Sequence, residues 1–69
     1  MLTPESKRGI RKRVMRYLER CPGHFSGAKR DALNWLCGWY RGMFGKEPSK
    51  ELIDEAENYI NELLKEYQK

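Results

Sequence analysis

Histidine occurs once in this chain of 69 residues and cysteine twice, and these scarcities exclude most metal and catalytic chemistry at the outset. A structural zinc needs four Cys or His ligands. Cys21-Pro22-Gly23-His24 has the two-residue spacing of metal ligands, yet only Cys37 is left to join it. The expectation is two free thiols, no metal and no cofactor, with a site shared between copies as the alternative. An intrachain disulfide is equally poor. If the first two helices form a hairpin, Cys37 lies about 11 residues beyond Cys21 along the second, roughly 16 Å away. Two reduced cysteines suit a cytoplasmic protein.

Other absences narrow the class further. There is no Ser/His/Asp combination and no glycine-rich phosphate loop, so no catalytic residue is assigned and the chain reads as a non-enzyme. The longest apolar stretch, Trp35 to Tyr40 with Gly38 inside it, is far short of a membrane span. The opening residues, Met1-Leu2-Thr3-Pro4-Glu5, lack the apolar segment of a secretion signal. Strand-like alternation, internal repeats and low-complexity segments are missing too. The expectation is a complete small protein, one helical domain over residues 1–69, in the cytoplasm. A chain this short buries only about 60% of its unfolded surface, so its core is thin and oligomerisation is a common remedy.

What is present is a segregation of charge. Residues 1–30 carry nine Lys/Arg against two acids, whereas residues 46–69 carry four Lys against seven acids. The net charge of +4 therefore conceals a strong dipole. One end of the chain should attract polyanions and the other should repel them.

Helical periodicity places those charges. At about 100° per residue, Ile10, Val14, Tyr17, Leu18 and Cys21 fall on one side of a first helix, predicted over residues 4–21. Arg8, Lys12, Arg13, Arg16 and Arg20 occupy the opposite side, with Glu19 as the single acid among them. Thr3 is a plausible cap, Pro4 suits a first turn, and Pro22-Gly23 stops the helix. Gly9 weakens the first turn and predicts fraying there.

A last helix, predicted over 49–68, is capped by Ser49 and carries one apolar stripe: Leu52, Ile53, Ala56, Tyr59, Ile60, Leu63, Leu64 and Tyr67. A central helix over 26–44 is apolar around most of its circumference, leaving Arg30, Asn34, Cys37 and Arg41 as a narrow polar strip. Gly38 and Gly42 lie four apart on one side of it. They either admit another backbone or break the helix early. Short connections favour neighbours packed side by side, so the expected fold is all-α, a compact three-helix bundle, possible also as a homodimer through the third or the Trp-bearing helices.

Three surfaces then compete for a function. The basic face, with Lys29 and Arg30 beside it, could hold the phosphates of DNA or RNA, or could instead be solvated and paired with the acidic third helix. The strip Arg30, Asn34, Arg41 has side chains that read guanine and adenine edges, but the plainer reading is the one wet edge of a buried helix. Trp35, Trp39, Tyr40 and Phe44 are core, with any exposed remainder forming a partner or dimer interface. The leading expectation is a small nucleic-acid-binding accessory or regulatory protein. It contacts phosphates through Arg8, Lys12, Arg13, Arg16, Arg20, Lys29 and Arg30. The alternative is a protein-binding module or inhibitor of the phage or mobile-element type. That module would act through Trp35, Trp39 and Tyr40 or through the acidic face of Glu51, Glu55, Glu62 and Glu66.

Overall fold

The computed structural model describes residues 2–68. Three helices account for most of them: α1 over Pro4–Arg20, α2 over Phe25–Phe44 and α3 over Lys50–Tyr67. They pack against one another as a three-helix bundle of 36 × 19 × 18 Å.

Each helix begins and ends for local reasons. The Thr3 side chain accepts the Ser6 amide at 3.1 Å, and Pro4 occupies the first turn, where a missing N–H costs nothing. Cys21 lies outside α1 as its C-cap, its amide donating to the Tyr17 carbonyl at 2.8 Å. Gly23 takes a φ of 84°, which turns the chain sharply between α1 and α2. Ser49 caps α3 by accepting the Leu52 amide at 3.2 Å. Only α2 starts without a side-chain cap, at His24, and it begins at Phe25, one residue before the expected start.

α2 runs unbroken through Gly38 and Gly42 to Phe44 and ends at Gly45, whose φ of 71° closes the last turn. Neither reading of the two central glycines holds. A Cβ at either would meet nothing within 4 Å, so no backbone approaches there, and the helix does not stop. Gly9 also departs from expectation. It lies within a continuous α1 and is the socket for a neighbour's ring, because a Cβ there would come within 2.0 Å of the Trp35 indole.

That socket is one step of a regular register. Descending α1 by four residues at a time, Gly9 meets Trp35, Arg13 meets Asp31 and Tyr17 meets Gly27, which steps back along α2 by four residues at a time. A Cβ at Gly27 would come within 2.2 Å of the Tyr17 hydroxyl oxygen. Ring into glycine, ion pair, ring into glycine: the antiparallel α1–α2 contact is reciprocal about its centre.

The core lies between the three helices. Ile10, Val14 and Leu18 from α1, Ala28, Ala32 and Leu36 from α2, and Leu52, Ala56, Ile60, Leu63 and Leu64 from α3 are all buried. Two further members lie outside the apolar stripes. Leu2 is only 5% exposed, and its amide donates to the Glu55 carboxylate at 2.8 Å, joining the segment before α1 to α3. Ser6 is buried with its hydroxyl donating to the Thr3 carbonyl at 2.9 Å, so the polar group is satisfied within its own turn.

Candidate nucleic-acid interface

The sequence places Arg8, Lys12, Arg16 and Arg20 four residues apart on α1. Each step turns the row by about 40°, so it winds slowly around the side of the helix away from the core. All four are exposed in the bundle. Among the described residues none of the four has an ion-pair partner, and none folds back onto the acidic helix. Glu19 stands beside the C-terminal end of the row and Glu5 near its start, both exposed, so the row is basic along its middle and diluted at its ends.

The other three predicted phosphate ligands are placed differently. Arg13 is drawn sideways into the α1–α2 seam, where its Nε donates to Asp31 Oδ2 at 3.2 Å and its Nη2 to Oδ1 at 3.0 Å. Lys29 Nζ lies 3.8 Å from Glu57 Oε2 on α3. Arg30 is exposed on the outer strip of α2 with Asn34 and Arg41, and Arg41 is itself paired with Glu47. The structure thus brings four of the seven residues into one open row and sets Arg13 and Lys29 to tying helices together. Sequence periodicity could not find those two pairs, because they depend on the register between helices.

On the α1–α3 side, Lys7 Nζ sits 5.7 Å from the centroid of the Tyr59 ring, a cation–π contact at the bundle surface. The aromatic residues of α2 form a connected series. Trp35 and Trp39 stack with centroids 5.9 Å apart, Trp39 meets Phe44 edge-on at 6.2 Å, and Phe44 lies 4.6 Å from Tyr40. Trp35, Trp39 and Tyr40 are half-buried against the core, whereas Met43 and Phe44 are 60% and 54% exposed. The end of α2 is therefore the exposed remainder of the cluster.

Cys21 and Cys37 are separate free thiols, each half-buried. Among the described residues no three His, Cys, Asp or Glu side chains converge to hold a metal ion. No described helix is long and apolar enough to cross a membrane. No family model matches the chain, no curated protein is significantly similar to it, and no solved structure matches it.

Two surface residues depart from the periodicity of the sequence. Met15 is 43% exposed and Tyr67, expected on the buried stripe of α3, is 45% exposed, and both line one groove between α1 and α3. The signal for Met15 was its place on the wheel of α1, about 60° beyond Leu18 and between Arg11 and Arg8, outside the apolar arc.

Proposed function

We propose that this protein is a small non-enzymatic nucleic-acid-binding accessory or regulatory protein that holds phosphates along α1. The observation that carries the reading is the row Arg8, Lys12, Arg16, Arg20, exposed and without ion pairs on a chain whose acids collect in α3. Three steps of four residues at 1.5 Å each span about 18 Å. One strand of a duplex presents about five phosphates over that axial length. Arginine and lysine on one outer helix face supply charge without base-edge geometry, so binding is indifferent to sequence. Arg30, exposed on the outer strip of α2, is a further cation, while Arg13 and Lys29 remain with their carboxylate partners.

The test is fluorescence anisotropy with labelled duplex DNA, single-stranded DNA and RNA at about 50 and 200 mM salt, where four phosphate contacts predict a loss of about two orders of magnitude in affinity. Arg16→Glu with Arg20→Glu is expected to abolish binding. Absence of binding at the lower salt, or binding indifferent to that double reversal, overturns the reading.

The exposure of Met43 and Phe44 supports a second reading, a protein-binding module anchored by the aromatic end of α2. An aromatic anchor resists salt and a phosphate interface does not, so the same titration separates the two.

A further inference from the structure

The C-terminal halves of α1 and α3 stand apart at the bundle surface. Between them runs a groove of about 520 Å³ lined by Arg11, Met15, Leu63, Glu66 and Tyr67. It continues past Met15 and Tyr67 into a second opening of about 320 Å³ beside Leu18, Glu19, Pro22 and Phe25. Its floor is apolar, and where Arg11 and Glu66 face each other its rims are of opposite sign. Arg11 marks the α1 wall and Glu66 the α3 wall, and no ion pair joins them across the gap. The molecule exposes 5078 Å² at a mass of 8.2 kDa. A folded monomer of that mass exposes roughly 4,500 Å² on average. This chain leaves more surface open than its size predicts.

We propose that this groove is the interface of a homodimer, occupied by the same groove of a second copy. The charge arrangement selects that occupant and its orientation. α1 and α3 run parallel, with Lys7 level with Tyr59, Arg11 with Leu63 and Met15 with Tyr67. A two-fold axis parallel to the groove lays α1 of each copy over α3 of the other. Arg11 then faces Glu66 of the partner subunit, twice by symmetry, and Met15 packs on Tyr67 of the partner subunit. A two-fold axis across the groove would instead set α1 against α1 and α3 against α3, leaving Glu66 to face the acidic α3 of the partner subunit; only the parallel axis gives Glu66 a cation at both symmetric positions. The paired helices make a parallel four-helix interface that covers both grooves. The dimer does not require that the chain bind nucleic acid, although Arg8, about 20° from Met15 around α1, borders the interface and leaves Lys12, Arg16 and Arg20 as the open part of the basic row.

The experiment is sedimentation equilibrium on the full chain from micromolar to millimolar concentration, with helix content followed by circular dichroism. Wild type is expected to be a reversible dimer. Arg11→Glu and Glu66→Arg are each expected to weaken self-association at least tenfold with helicity unchanged, because each creates like-charge pairs at both symmetric positions. Mixed together, the two variants are expected to form a heterodimer as tight as the wild-type dimer, since every Glu at 11 then meets an Arg at 66 and every Arg at 11 meets a Glu at 66. Met15→Lys, on the exposed rim, is expected to give a folded monomer. A wild-type monomer throughout the range overturns the proposal, as does a dimer that both charge variants leave intact or that mixing fails to restore.

Discussion

The indole of Trp35 occupies the space that a side chain at residue 9 would fill: its Cη2 lies 2.0 Å from where a Cβ on Gly9 would stand. The ring is held in that position by its stack on Trp39 at 5.9 Å, so it cannot swing aside without losing a second contact. Gly9 is thus a packing residue, although in isolation it weakens its helix by about 1 kcal/mol relative to Ala.

Gly9→Ala and Gly38→Ala should move stability in opposite directions. Intrinsic propensity favours both substitutions, but only Gly38 has open space for the added methyl. Gly38→Ala is expected to stabilise by about 0.5–1 kcal/mol, and Gly9→Ala to destabilise by about 1–3 kcal/mol through overpacking. Urea midpoints check both, and near-ultraviolet circular dichroism should report the displaced Trp35 in Gly9→Ala alone. Equal stabilisation by the two would dismiss the socket.

Arg13 and Asp31 form a two-pronged pair, but their side chains are 41% and 30% exposed, so solvent screens them. A double-mutant cycle with Arg13→Gln and Asp31→Asn is expected to give a coupling of about 0.2–1 kcal/mol that shrinks in high salt. A coupling of zero at low salt would mean that the pair orients the helices without stabilising them.

The same pair sorts the cations in nucleic-acid titrations. Lys12→Gln and Arg16→Gln are each expected to lower the salt slope by about one and to weaken all sequences alike. Arg13→Gln and Lys29→Gln are expected to leave the slope unchanged, because their charges are held by Asp31 and Glu57. A slope that fell equally for all four would place the contacts elsewhere than in the α1 row.

Leu2 precedes the first helix yet belongs to the core, so Leu2→Ala should act as a core truncation at a site where the chain end can partly collapse. The expected loss is about 2 kcal/mol. A domain of this size then loses on the order of 10 °C in melting temperature. Thermal unfolding measures it, and a shift of a degree or less would mean that this segment does not seal the bundle.

Removal of a helix cap has a smaller and additive effect. Thr3→Ala and Ser49→Ala each free one amide, of Ser6 and of Leu52, and each is expected to cost about 1 kcal/mol. The caps share no partner, so the double variant should lose the sum within a few tenths of a kcal/mol. A double loss well below that sum would show that the two helix starts are coupled.

Periodicity and punctuation made the helices legible: Thr3-Pro4, Pro22-Gly23 and Ser49 mark boundaries within a residue or so of those found, and the stripes predicted most of the core. Leu2 was not legible, because a residue outside a periodic segment gives no angular signal. Gly38 and Gly42 misled because glycine weakens a helix locally, whereas here Leu36 on one side and the ring contacts of Trp39 and Tyr40 on the other keep the helix intact around them. In the candidate interface, exposure of the α1 row followed from the helical wheel. The withdrawal of Arg13 and Lys29 did not, since it depends on which residue of a neighbouring helix arrives opposite.

The reciprocal order along the α1–α2 seam also determines which alignments are shut out. Sliding α1 by one turn in one direction sets Gly9 opposite Asp31 and Arg13 opposite Gly27, which leaves both rings without sockets and both charges without partners. The other direction drives Arg13 against Trp35 and Tyr17 against Asp31. A seam of plain leucines would tolerate either slip at little penalty. Three unlike contacts in palindromic order admit a single alignment, and a hairpin closed by only four residues can test that alignment early, before α3 arrives to cover it.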